Sequence, residues 1–279
     1  MKKIIAAIDG LNYSDSTVAY AVCIAKQERA HLVGVFPEDI SNRSYALYEL
    51  VDESGISDQR IRELANRDRD ARARSVDRFE LACQQSGLQY SVHKDKDIAI
   101  DALLHESIYA DLMIIESKES FNRLKEDKPS RFLQHLLAEA VCPILLVPAG
   151  FIEIDKSVLL YDGSPSSVYA IKMFDYTLPG LKYKPAEVIS VKSPASSLHL
   201  PDGKLMKEFM KRHYPHADYQ VLQGVPWEVI PAYLQKESSS TIIVLGAYHR
   251  GRLSRWFYPS MADVLLYELQ SPLFIAHCK

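Results

Sequence analysis

Residues 246–260 read GAYHRGRLSRWFYPS, between the apolar run STIIVL (240–245) and the helical pattern MADVLLYEL (261–269). A strand, a glycine, a polar loop and a helix start make an anion-binding arrangement, because the helix amino end offers unpaired N–H groups and partial positive charge. Gly246 permits close approach of backbone to a ligand. Arg250, Arg252 and Arg255 supply cations. Ser260 can touch an anion or simply cap the helix, and the cap is the commoner role. His249 and Pro259 stand where a phosphate cradle wants small residues, and Pro259 removes an N–H donor. The loop has the position of a phosphate cradle but little of its composition.

A second set of residues belongs to the same chemistry. In YDGSPSS (161–167), Asp162, Gly163 and Ser164 end one apolar run and begin a helical pattern, and Val191 closes another run, AEVISVK (186–192). An aspartate at a strand end accepts hydrogen bonds from an adenine or a ribose; the plain alternative is an Asp-Gly turn. Asp9-Gly10, Val35-Phe36 and Glu116-Ser117 hold the corresponding places earlier in the chain. Glu116 puts a carboxylate beside the place of a phosphate, costing affinity unless it binds a metal or a cation, which argues strongly against a triphosphate there. Catalysis finds no footing: there is no GxSxG elbow, no GxxxxGK[ST] loop and no HExxH pattern. His213, His216 and Asp218 in RHYPHAD lack a cysteine partner and read as a surface turn rather than a metal site.

The elements that position these residues are written twice. IIAAIDG (4–10) matches VLLYDGS (158–164), ADLMIIES (110–117) matches STIIVLGA (240–247), and LLAEAVCPILLVP (136–148) matches LLYELQSPLFIAH (265–277). Between these anchors come HLVGVF, a long charged helix at about 58–86, LQYSVHK and a short helix at 97–107. The second half repeats the order with AEVISVK, a helix at 202–213, DYQVLQG and a helix at 226–237. Short β-branched runs alternating with helices imply βαβ units, and runs without polar alternation imply strands covered on both faces. Each half is therefore predicted to be an α/β Rossmann-like domain with a five-stranded parallel sheet, residues 1–150 and 151–279. Ligands in such sheets bind beyond the carboxyl ends of the strands, at the switch in strand order.

Bulk composition narrows the function. The chain has 279 residues, 47% apolar and 25% charged, with a net charge of −3. That balance argues against a dedicated nucleic-acid partner. No apolar stretch approaches the ~18 residues of a membrane span, and Asp9 interrupts the first apolar run too early for a signal peptide. Cys23 and Cys142 lie in apolar runs without metal spacing and read as core residues of a reducing, cytoplasmic compartment. The Arg- and Asp/Glu-rich stretch 57–83 reads as a solvated helix face laced with i,i+4 pairs.

The pattern of strand, Asp-Gly and Ser-rich helix, followed by strand, GAY loop, helix, proline and strand, resembles the universal stress protein family in its tandem form. The resemblance covers essentially the whole chain. It implies two adenine nucleotide alpha hydrolase-like domains and a cytoplasmic, stress-related, non-enzymatic role. It also implies ATP or another adenine nucleotide as the ancestral ligand, no metal, and final strands that pair as an internal pseudo-dimer. Assembly into a homo-oligomer and the identity of protein partners stay open. Carried onto this chain, the family's phosphate-loop glycines fall on Gly246, His249 and Pro259, the last followed by Ser260, so two of the three are replaced. In the first half Glu116 takes the first glycine's place and SKESFNRLKEDKPSR (117–131) has none. Two readings follow. In one, the second half binds a nucleotide or smaller anion weakly through Asp162, Gly163, Ser164, Val191, Gly246, His249, Arg250 and Ser260. In the other, nucleotide binding is lost and the protein is a regulatory or protein-interaction scaffold.

Overall fold

The computed structural model describes residues 1–38, 43–45, 51–52, 55–56, 58–94, 97–122, 126, 128–194, 198–246 and 260–277. Repeat one contains β1 (Lys3–Ala7), α1 (Asp15–Glu28), β2 (His31–Val35), β3 (Val51–Asp52), β4 (Gly55–Ile56), α2 (Asp58–Gln85), β5 (Tyr90–His93), α3 (Ala99–Ser107), β6 (Leu112–Glu116), α4 (Arg131–Glu139) and β7 (Ile144–Val147). Repeat two contains β8 (Lys156–Leu160), α5 (Pro165–Thr177), a 3-10 turn (Pro179–Leu181), β9 (Ala186–Lys192), α6 (Gly203–His213), β10 (Asp218–Gln223), α7 (Pro226–Leu234), β11 (Thr241–Leu245), α8 (Met261–Glu268) and β12 (Leu273–Ile275). The short β3–β4 hairpin has no counterpart in the sequence reading, because two-residue strands carry no periodicity to detect.

The main strands form one ten-stranded sheet in the order β10-β9-β8-β11-β12-β7-β6-β1-β2-β5. Each repeat contributes five strands, and its first strand lies between its second and fourth, giving the expected switch point. Pairing is parallel everywhere except where β12 meets β7 antiparallel, with Leu273 opposite Leu146, Phe274 opposite Leu145 and Ile275 opposite Ile144. The final strands thus join the repeats into the internal pseudo-dimer that the resemblance implies.

Local chemistry repeats with the topology. Serines cap the first and last helices of both repeats: Ser14 accepts from the Thr17 N–H, Ser164 from Ser167, Ser130 from Leu133 and Ser260 from Asp263. Each satisfies an N–H that the helix itself cannot reach. The sheet is covered on both faces. One core runs through Ile4, Leu32, Phe79, Leu145, Phe174 and Phe274, and the other through Ile5, Leu103, Met113, Leu136, Ile243 and Leu265. Both cores cross from repeat to repeat. The Lys2 ammonium donates to the Thr177 carbonyl at 2.7 Å, and the Gly180 N–H donates to the Glu28 carboxylate at 3.0 Å. Among the described residues no helix is long and apolar enough to cross a membrane.

The charged helix α2 is not laced mainly along itself. Arg60 and Glu63 pair at 3.4 Å within the helix. Arg78 instead reaches Asp15 of α1 at 2.5 Å and lies 4.0 Å over the Tyr13 ring, while Asp68 holds Ser44. Charge on this helix ties other elements to it. His213 also departs from the surface-turn reading: it ends α6, is largely buried, and its Nδ1 lies 2.6 Å from the Asp175 carboxylate. Among the described residues no group of three or more His, Cys, Asp or Glu could hold a metal ion.

Candidate functional site

In each repeat the switch in strand order falls at the carboxyl ends of β1 and β6, or of β8 and β11, the place where open α/β sheets form a cleft. In repeat two, β8 ends in a turn that Gly163 makes at φ +87, a region L side chains rarely enter. Asp162 is exposed on this turn and accepts the Ser164 N–H at 2.9 Å. Burial by itself would raise the Asp162 carboxyl, but hydrogen bonds from the Ser164 hydroxyl and N–H and from Ser167 outweigh it, so its pKa lies below the ordinary value. The result is a fixed anion with an exposed edge, suited to accept hydrogen bonds from a ligand.

The remaining predicted residues have structural duties. The Ser164 hydroxyl accepts the Ser167 N–H at 3.2 Å and caps α5. Val191 packs partly buried against the second core. A Cβ placed on Gly246 would lie 2.5 Å from the Ser166 carbonyl oxygen, so the amino end of α5 leaves room for glycine alone, whatever the ligand. Ser260 forms a capping box with Asp263: its hydroxyl accepts the Asp263 N–H at 3.2 Å, and its own N–H donates to the Asp263 carboxylate at 3.0 Å. That carboxylate stands in the first turn of α8, where an anion would otherwise be drawn. His249, Arg250, Arg252, Arg255 and Pro259 lie outside the described residues.

Repeat one uses the same letters to a different end. Asp9 is fully buried and accepts the Leu11 N–H at 2.9 Å and the Asn12 amide at 3.0 Å. Helix α2 lies against the turn, where the Ser75 hydroxyl donates to the Gly10 carbonyl at 2.8 Å and Arg72 donates to the Pro37 carbonyl at 3.1 Å. After β6 the chain folds back. The Glu119 carboxylate accepts the N–H groups of Ser120 and Phe121 at 2.9 and 2.8 Å. Phe121 is buried and packs against the Phe132 ring, centroids 4.8 Å apart and planes inclined by 40°. At the amino end of α4, Ser130 caps Leu133 and the Glu126 carboxylate accepts the Arg131 N–H at 2.8 Å. Side chains of the repeat itself therefore supply the anionic and apolar groups at its strand ends.

No protein-family model matches the sequence, and no curated protein matches it either. Solved structures do. A universal stress protein from Archaeoglobus fulgidus DSM 4304 superposes with a TM-score of 0.69 at 14% identity, covering 99% of this chain and 98% of that one. The chain has the universal stress protein fold. A functionally unknown protein from Pseudomonas aeruginosa PAO1 gives a TM-score of 0.62 at 17% identity over 99% of this chain and 92% of its own. Both matches span both repeats, so the tandem arrangement belongs to the shared fold. Within this universal stress protein fold, two groups that shape the clefts escaped the sequence reading. Glu119 lies three residues past Glu116 in a stretch without periodicity. Asp263 completes an S-x-x-D capping box that was legible once Ser260 was considered a cap.

Proposed function

We propose that this chain is a stress-related, non-enzymatic cytoplasmic protein in which repeat two binds an adenine nucleotide or a smaller anion weakly and repeat one binds none. The observation that carries the reading is the contrast between Asp162, exposed and held ionised at its switch point, and Asp9, fully buried at the equivalent one. In this reading Asp162 accepts from base or ribose. The first-turn amides of Met261 and Ala262, which have no carbonyl within α8 to meet, face the anion, and the loop sequence supplies three cations, Arg250, Arg252 and Arg255. Charge on long side chains attracts an anion but fixes it poorly, since ordering each costs roughly 0.5–1.5 kcal/mol. Binding is therefore weak and falls steeply with salt.

The test uses the full chain. Mass spectrometry after denaturation looks for carried nucleotide, and calorimetry with ATP at low and high salt measures affinity. Asp162→Asn is expected to weaken binding roughly tenfold, the loss of about one charged hydrogen bond, and Asp9→Asn to leave affinity unchanged. Absence of binding at millimolar ATP and low salt refutes the ligand reading. One observation favours the alternative scaffold reading: Asp263 holds negative charge at the amino end of α8. If no nucleotide binds to wild type, and none to Asp263→Asn, the protein acts through protein contacts instead.

A further inference from the structure

Independently of any ligand at the switch points, we propose that the outer edge of β10 and the lysine stripe of α6 beside it bind an extended acidic segment of a partner protein, which adds to the main sheet as an eleventh strand. β10 ends the sheet order, and among the described residues no strand pairs with its outer side. The Gly224 N–H donates to the Lys192 carbonyl of β9 at 3.0 Å, and Gln223 stands opposite Lys192. In a parallel ladder successive residues turn their backbone groups to opposite sides. Gln220 and Leu222 therefore bond to β9, while Tyr219, Val221 and Gln223 offer their N–H and C=O groups outward. The strand has none of the usual protections of an edge. It holds six residues in unbroken register with β9, with no proline, lysine or bulge among them. Such an edge is a template for a further strand.

Charge selects what can add. The Lys207 ammonium lies 5.9 Å from the Tyr219 ring centroid, so this flank of α6 faces the outer strand. Lys204 and Lys211, three residues before and four after, share that flank. All three are exposed, and no ion pair joins any of them to a described carboxylate. Glu208 stands about 100° further round the helix, toward solvent. Asp218, the one charge on β10, alternates onto the face opposite Tyr219. Successive lysines rise about 4.5 and 6 Å along α6, and alternate side chains of an extended chain recur about every 6.8 Å. Flexible lysine stems absorb the mismatch, so carboxylates at alternate positions of an added strand meet the stripe. Its other face lies beside Leu222, partly buried on the second core, and suits apolar residues. A second copy is the poorer occupant: two-fold pairing of β10 with itself sets lysine stripe beside lysine stripe. The edge at β5 differs as well. There Gln84 of α2 donates to the Tyr90 hydroxyl at 2.9 Å, and Glu80, one turn earlier, brings negative charge.

Fluorescence anisotropy of a labelled seven-residue peptide alternating glutamate and valine, titrated with the full chain at low salt, tests the proposal. The lysine–valine counterpart is the control. The glutamate peptide is expected to bind, to weaken as salt rises, and to lose affinity about tenfold or more in Lys207→Glu. Methylating one alternate set of its amide nitrogens should abolish binding, and methylating the other set should not, because an added strand turns only one set toward β10. Val221→Pro removes an outward N–H without touching the β9 ladder and should weaken binding likewise. If that variant does not fold, the two methylated peptides decide the matter alone. No binding at millimolar peptide, equal binding of the lysine peptide, or equal sensitivity to both methylations overturns the proposal. Two further results also overturn it. An oligothymidylate that binds as tightly as the glutamate peptide would mark a general polyanion surface. A dimer seen by light scattering in wild type and lost in Val221→Pro would give the edge to a second copy.

Discussion

The two strand-end turns begin from the same dipeptide, Asp-Gly, and finish in opposite environments. Asp9 is sealed and Asp162 is open. Nothing in the dipeptide differs. The difference comes from what packs on it: the 28-residue α2 in repeat one, against the 11-residue α6 in repeat two. α2 reaches across the Gly10 turn with Ser75 and Arg72. In repeat two the turn instead meets the Pro201 loop, whose carbonyl accepts from the Tyr161 hydroxyl at 3.0 Å. A motif at a strand end thus specifies a turn, and the neighbouring helix specifies whether the turn can serve as a site.

The largest way to break the contrast is to loosen the cover. Phe79 is fully buried in the carboxyl-terminal third of α2 and meets Phe36 and Tyr90 edge-on at 5.8 and 6.1 Å. Phe79→Ala is expected to cost about 3–5 kcal/mol in denaturant unfolding, and in the surviving native state to raise amide exchange at Leu11 more than at Ser164. Equal exchange at both turns would mean that α2 does not make the difference.

Next comes the glycine of the opening loop. Gly246→Ala should cost roughly 1–3 kcal/mol by forcing α5 away from β11, because the space a Cβ needs is held by Ser166 backbone. The effect should appear in the absence of any nucleotide. A neutral Gly246→Ala with lost ATP binding would restore the glycine to a ligand role. For the same reason Gly246→Glu is not a clean ligand-site variant: its packing defect would mimic a loss of binding.

Caps sharpen the comparison at smaller scale. Removing a serine cap typically costs about 1 kcal/mol. Ser130→Ala should exceed Ser260→Ala, since Ser130 holds both the α4 amide and the Glu119 carbonyl, whereas Asp263 keeps its own bond to the Ser260 N–H. Thermal unfolding of the two variants tests the order.

The smallest effects belong to ion pairs at the opposite end of the sheet. Lys3 pairs with Glu106 at 2.8 Å, and Lys156 pairs with Glu187 and Glu237 at 2.9 and 2.8 Å. Partly exposed pairs are worth about 0.2–1 kcal/mol, so Lys3→Met and Lys156→Met should differ by little, with Lys156 ahead. Burial pulls the Glu106 carboxyl up, while Lys3 and His93 pull it down further, leaving it below its ordinary value. Its contribution is present above that ordinary value and is lost as pH falls through the lowered one. A pH series on Lys3→Met should therefore converge with wild type in acid.

The sequence made the sheet legible for a physical reason. Strands covered on both faces must be continuous apolar runs, and ILLV and LFI before or after fixed prolines marked the two final strands. Helix starts were legible because serine caps are local. What stayed hidden was non-local. Gly246 read as a ligand residue because its real neighbour, Ser166, is eighty positions away. Asp9 read like Asp162 because burial by α2 leaves no mark on residues 9 and 10. Glu119 carried no signal at all, since a carboxylate that bonds the next two amides obeys no period. His213 looked like part of a surface turn until Asp175 was found beside it.

The antiparallel seam between β7 and β12 has a consequence for how this protein could change. In a pair of identical subunits every substitution appears twice, once on each side of the symmetry axis. Here the two sides are different segments of one chain, held together by the short connection 148–155 and by cores that cross the seam. A residue that closes one cleft is inherited by that cleft alone. The covalent pair can therefore keep one half as a rigid counterpart while the other explores a different surface, a division of labour that a symmetric pair cannot reach by single substitutions.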